Sequence, residues 1–133
     1  MPADVIIGTD GLTPDQLIAI ARNHAKVSIS APAFEAIEKS RAIVDSLAAS
    51  EIPVYGISTG FGALARKFID EDKRTQLQKS LIRSHAASSG EIIEIEVVRA
   101  MMAVRLATLC RGLSGVQSKT AAAYAALLNA GIT

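Results

Sequence analysis

Val54-Tyr55-Gly56-Ile57-Ser58-Thr59-Gly60-Phe61-Gly62 is the stretch on which the reading of this chain turns. Three glycines are interleaved with larger residues, and one tyrosine stands inside the turn, a pattern that suits neither a helix nor a strand. Glycine accepts backbone angles that other residues avoid and lets a ligand or a second backbone come close. The phenol of Tyr55 is open to two uses: as an acid or base, or as a packing group within a glycine turn. No Gly-Lys-Ser/Thr follows, so this is not a phosphate-binding loop, and the spacing is not the G-x-G-x-x-G of a dinucleotide fingerprint.

On either side of this stretch the sequence reads as helix. Towards the N-terminus, Val5-Ile6-Ile7 is a short apolar strand ending in Gly8, and Lys26-Val27-Ser28-Ile29-Ser30 alternates as a second strand. The two can pair into a small β ribbon at one end. Between them Thr13-Pro14-Asp15-Gln16 starts a helix to about Ala25, with Thr13 as cap, Pro14 in the first turn and Gln16 completing a capping box. A second helix runs from about Pro32 to Ala49. Beyond the glycine stretch, Asp70-Glu71-Asp72 places carboxylates where a helix dipole favours them. That third helix is expected to end near Ser88-Ser89-Gly90. A fourth, from about Glu94 to Arg111, is apolar around its whole circumference, which is normal for a buried helix. Its Arg99, Arg105 and Arg111 lie six apart, about 240° from one another, so they form no basic face and each needs its own partner. A fifth helix spans Ser118 to Asn129. The expected class is mainly α, in a single segment over residues 1–133.

Composition narrows the function. Half of the 133 residues are hydrophobic and a fifth are charged, which excludes a disordered chain. The formal net charge of +1, with no Lys/Arg cluster, gives no reason to expect nucleic acid. The lone Cys110 excludes an internal disulfide and suits a reducing compartment. Neither a signal peptide nor a run long enough to span a membrane is present, so the expected location is cytoplasmic. With only His24 and His85, a multi-histidine metal site is not expected, and no metal is assigned. Gly112-Leu113-Ser114-Gly115 lacks the spacing and preceding strand of a nucleophile elbow. The two nearly all-apolar helices need more cover than so short a chain supplies, which points to other subunits or further chain.

Taken together, the segments resemble the aromatic amino acid ammonia-lyases, most closely the histidine ammonia-lyases. The matching text is Tyr55 to Gly62, then Leu81-Ile82-Arg83-Ser84-His85-Ala86-Ala87, Val98-Arg99-Ala100-Met101-Met102, Arg105, Gly112 to Val116 and Leu127-Leu128-Asn129-Ala130-Gly131. The resemblance implies the helical N-terminal part of such a lyase, about its first quarter. It implies elimination of ammonia from an aromatic amino acid, with methylidene-imidazolone as the electrophile, formed from a contiguous Ala-Ser-Gly. It assigns Tyr55 as the base near the β-carbon, and a phenol, ordinarily protonated near neutral pH, needs an electrostatic partner for that task. It places Ser84, His85 and Gly62 at the substrate. The family carries Phe-Leu, His-Leu or Ser-His at the Ser84-His85 pair for phenylalanine, tyrosine and histidine, so Ser-His implies histidine as substrate and urocanate as product.

Two departures stand out. Ser58 occupies a position where histidine lyases usually have Asn. The chain also has no contiguous Ala-Ser-Gly: Ala87-Ser88-Ser89-Gly90 carries an extra serine, and the family triad would lie beyond Thr133. The chain alone is therefore expected to hold no cofactor and to be inactive. Its expected partners are other subunits, as a homo-oligomer, or the missing C-terminal part. The alternatives are a non-catalytic helical interaction module and one subunit of a split lyase.

Overall fold

In the computed structural model, residues 3–133 are described. They form two strands and five helices in the order β1 (Val5–Ile7), α1 (Pro14–Ala21), β2 (Val27–Ile29), α2 (Ala31–Ala49), α3 (Glu71–His85), α4 (Ile95–Cys110) and α5 (Ser118–Asn129). The mainly α class with a small strand pair is the observed one. The chain divides into two compact units: one up to Ala42 and from Ile92 onward, the other Ile43–Glu91.

The first unit contains the apolar core. β1 and β2 pair in parallel, Val5 opposite Val27 and Ile7 opposite Ile29. Parallel strands need a crossover, and α1 supplies it. The capping box of α1 forms as its sequence requires: the Gln16 N–H donates to Thr13 Oγ1 at 3.2 Å, and the Thr13 N–H donates to Gln16 Oε1 at 2.9 Å. α1 packs on α4, α4 on α5, and α5 on β2. Ile7, Ile20, Ile37, Leu106 and Leu128 are fully buried between them. The outer edge of β2 is closed by a side chain: Asn129 accepts from the Val27 N–H and donates to the Val27 carbonyl, both at 2.8 Å. Gly112 stops α4 with a φ of +66°, and a Cβ there would lie 2.5 Å from the backbone of Ala36, so the position is closed to any side chain.

Arg99 ties this unit together. It is buried in α4, with Nε and Nη2 donating to the Ile20 carbonyl at 3.1 and 2.9 Å and Nη1 donating to the Leu128 carbonyl at 2.9 Å. Ile20 and Leu128 lie in the last turns of α1 and α5. Carbonyls there lack intrahelical donors and carry the negative end of the helix dipole. One guanidinium thus serves two helix ends. Arg22 pairs instead with Glu96 at 3.0 Å, and Arg105 and Arg111 are exposed.

In the second unit α2 finishes, the chain passes through the glycine stretch and a short 3₁₀ turn at Gly62–Leu64, and α3 follows. Arg74 of α3 donates to the Ile69 carbonyl at 2.9 Å and to the Ala48 carbonyl at 2.8 Å, and its guanidinium lies 5.3 Å from the centre of the Phe68 ring.

Two expectations are corrected. α1 ends at Ala21 rather than Ala25, because the chain turns out through His24 at φ +54°. α3 ends at His85 rather than near Gly90: Ala86 has left helical angles, at φ −80° and ψ 58°. The apolar α4 is covered only in part within this chain, in line with the expectation that so short a chain cannot cover it on every side. Arg99, Ala103, Leu106, Ala107, Leu109 and Cys110 are covered, whereas Ile95, Val97, Met101 and Val104 are exposed.

Candidate functional site

Tyr55, Gly62, Ser84 and His85 all fall in the unit Ile43–Glu91. The loop bearing Tyr55 is built on one carbonyl. Val54 accepts from the N–H groups of Ile57, Ser58 and Thr59 at 3.1, 3.0 and 3.3 Å. The far side is closed by backbone bonds from Gly60 to Lys67 at 3.2 Å and from Ile69 to Ser58 at 2.9 Å. Within it the Tyr55 ring stands edge-on to Phe61, with centroids 5.8 Å apart. The side chain is not packed away: Tyr55 is 63% exposed, and its hydroxyl has no hydrogen-bond partner among the described residues. Gly62 opens the 3₁₀ turn at φ +55° with its outer face open.

Ser84 and His85 close α3. Ser84 Oγ donates to the Leu81 carbonyl at 2.8 Å, and His85 Nδ1 lies 2.9 Å from the same oxygen and 3.0 Å from Ser84 Oγ. In the neutral tautomer that donates from Nδ1 to this carbonyl, Nε2 keeps its lone pair. Both residues are exposed. Among the described residues, no hydrogen bond or ring contact joins Tyr55 to Ser84 or His85.

Other groups are set apart from this chemistry. Burial pushes the Cys110 thiol up to about 11, which keeps it protonated and unreactive near neutral pH. Lys73 beside Asp70, at 2.8 Å on the surface, lowers the carboxyl and is itself raised. No group of three or more His, Cys, Asp or Glu among the described residues could hold a metal ion, and none of the described helices is long and apolar enough to cross a membrane. Ala87-Ser88-Ser89-Gly90 is an exposed connection outside any helix or strand. It is not a contiguous Ala-Ser-Gly, the sequence from which the resemblance derives methylidene-imidazolone. The loop also contains two residues that spacing alone did not single out as site-building, Ser58 and Thr59. Their buried hydroxyls are satisfied inside the turn. Hydroxyls that flank a tyrosine in a glycine-rich turn are the signal that could have marked them.

The family model described as "Aromatic amino acid lyase" matches residues 12–133. The chain is 50% identical to histidine ammonia-lyase of Streptomyces avermitilis over 129 residues, which cover 97% of this chain and 25% of that protein. It is 51% identical to histidine ammonia-lyase of Streptomyces griseus, with the same two coverages. Among solved structures, the tyrosine aminomutase of Streptomyces globisporus superposes with a TM-score of 0.91 at 34% identity, over 98% of this chain and 25% of that one. Histidine ammonia-lyase from Trypanosoma cruzi does so with a TM-score of 0.84 at 38% identity, over 96% of this chain and 24% of that one. The chain spans about a quarter of the length of these relatives. One backbone thus serves a lyase and an aminomutase, so the fold alone does not choose the reaction. With the match running from Leu12 to Thr133, the chain belongs to the aromatic amino acid lyase family.

Proposed function

We propose that this chain is the N-terminal portion of a histidine ammonia-lyase, an enzyme that eliminates ammonia from L-histidine to give urocanate. The observation that carries the reading is the pair at the end of α3: Ser84 and His85 are exposed, and the tautomer in which His85 Nδ1 donates to the Leu81 carbonyl leaves Nε2 as an acceptor. An imidazole N–H of the substrate is the donor such an acceptor suits. Tyr55, presented on the glycine loop with its hydroxyl uncommitted, is the group to take the β-proton as the C–N bond breaks. Gly62 leaves open space beside the loop. The electrophile has to come from chain outside this segment, because no contiguous Ala-Ser-Gly lies within it. The chain alone is therefore inactive. Adding L-histidine and following urocanate absorbance tests this: product above a heat-killed control overturns it. In a lyase-length protein containing these residues, His85→Leu lowers kcat/KM for histidine and leaves the fold intact, and unchanged kcat/KM removes His85 from substrate recognition.

A second reading is favoured by α4. Val97, Met101 and Val104 are exposed along one face, beside shallow grooves that Leu17, Ile18 and Ala100 help to line. Exposed aliphatic surface of this kind marks a contact, and the occupant we infer is a polypeptide carrying the remaining three quarters of a lyase. The chain is then one subunit of a split enzyme or a non-catalytic helical module. Mixing it with such a polypeptide separates the two: binding with urocanate formation identifies a split lyase, and binding without turnover identifies the module.

A further inference from the structure

The backbone on each side of Tyr55 is held by a buried hydroxyl. Ser58, fully buried, accepts from the Val54 N–H at 2.9 Å and donates to the Ile52 carbonyl at 3.3 Å. Thr59, 3% exposed, accepts from the Gly56 N–H at 3.4 Å and donates to the Gly60 carbonyl at 3.1 Å. Val54 and Gly56 are the immediate neighbours of Tyr55. No apolar side chain of this unit is fully buried among the described residues, and Val54, Ile57, Phe61 and Ile69 are half-buried, so the fully buried groups of the loop are its hydroxyls. A buried hydroxyl is costly unless both its donor and its acceptor needs are met. Here both are met by backbone groups of the loop and its flank. Turning the backbone at Tyr55 would release at least one of them.

We propose that Ser58 and Thr59 are positioning residues for Tyr55, two internal staples that fix the backbone before and after it and so aim the exposed phenol. The proposal rests on the reading of Tyr55 as the base. Its chemical value lies in orientation, since a misplacement of about 1 Å in a reacting group can cost on the order of 100-fold in rate. The arrangement also explains how a residue can be largely exposed and still be held in place: the order resides in the backbone beneath it.

Hydrogen exchange followed by NMR tests the staples in this chain directly. Ser58→Ala removes the acceptor of the Val54 N–H, and Thr59→Val removes the acceptor of the Gly56 N–H while keeping the side-chain shape. Each is expected to speed exchange of its own amide by roughly three- to tenfold, the worth of one hydrogen bond. The Ala103 and Leu106 amides of α4 serve as the internal reference and stay at parental rates. Thr59→Ser keeps the hydroxyl and is expected to keep Gly56 protected. In a lyase-length protein, Thr59→Val is expected to lower kcat with KM near the parental value, and Thr59→Ser to restore kcat. Unchanged exchange at both amides overturns the staples. Equal kcat losses in Thr59→Val and Thr59→Ser overturn the positioning role, because the hydroxyl would then not be what matters. Failure of the underlying assignment shows elsewhere: Tyr55→Phe turning over at the parental rate removes Tyr55 as base while the amide result stands.

Discussion

The two units of this chain are held together by different means. Every buried apolar side chain among the described residues, from Val5 to Leu128, lies in the unit formed by the two ends of the chain. The unit Ile43–Glu91, which carries all four candidate site residues, buries only the polar Ser58 and Thr59 among its named side chains. One unit is stabilised by removing aliphatic surface from water, the other by local hydrogen bonds and a guanidinium. Arginine is used in both, and the contrast holds there too: Arg99 is buried against two helix ends, whereas Arg74 sits half-exposed between two carbonyls and the Phe68 ring. A core fixes a region against change, whereas a region held by a few polar ties can keep its side chains outward. The candidate site residues fall in the second kind.

The largest effect expected from any single change belongs to the unit in which no apolar side chain is fully buried. Tyr55→Phe in a lyase-length protein deletes one exposed hydroxyl, so stability should not move. If the phenol takes the β-proton, kcat falls by about 10²–10⁴-fold, the usual worth of a general base. Measuring kcat together with the unfolding midpoint separates the cases. Near-parental kcat would show that Tyr55 only packs against Phe61.

In the other unit the same kind of deletion should act on stability alone. Leu106 is fully buried at the heart of α4, and Leu106→Ala is expected to cost about 2–5 kcal/mol, the transfer term plus the cavity left behind. A urea unfolding series on this chain reads it, and a loss below about 1 kcal/mol would mean that the core is not where the structure places it. Arg99→Met comes next. It keeps the apolar stem but leaves the Ile20 carbonyl without its donor and removes one from Leu128, a loss of about 1.5–3 kcal/mol. Arg99→Lys should recover only part of this, because one ammonium cannot repeat a fork reaching two helix ends. Full recovery by lysine would show that charge matters here and geometry does not.

How much of this was legible in the sequence follows the same division. The capping residues Thr13, Pro14 and Gln16 announce α1, and the aliphatic run with closing glycine announces α4; α5 begins and ends where its sequence says. These signals are local, and local chemistry is what a sequence displays. The ends of α1 and α3 were less legible, since His24 in a left-handed turn and Ala86 outside helical angles bear no composition mark. The direction in which β1 and β2 pair is also absent from their alternation. Arg99 was visible as a residue in need of a partner, but its partners are backbone carbonyls 79 and 29 positions away, and carbonyls carry no signature. The candidate site residues, Tyr55 and the Ser84-His85 pair, were named through the family resemblance. The hydroxyl staples of Ser58 and Thr59 were not, because burial in a loop is decided by the fold of the loop.

The smallest expected effect tests the comparison most directly. Ile82 in α3 is a branched aliphatic like Leu106, but it is 68% exposed, and α3 buries none of its residues in this chain. Ile82→Ala should therefore change the stability of this chain by no more than about 0.5 kcal/mol, the range of ordinary surface substitutions. Alanine is also the better helix former, which offsets part of any lost contact. A urea midpoint shifted by the equivalent of about 2 kcal/mol would break the contrast between the units, since it would place α3 against apolar surface within this chain. The same substitution in a lyase-length protein sharpens the contrast instead. Should it cost about 2–5 kcal/mol there, the face of α3 is covered by the additional chain, and the unit that bears the site acquires its apolar packing from outside this segment. Should it remain near zero, α3 is a surface helix in the complete protein as well, and the order of the site rests on the polar ties alone.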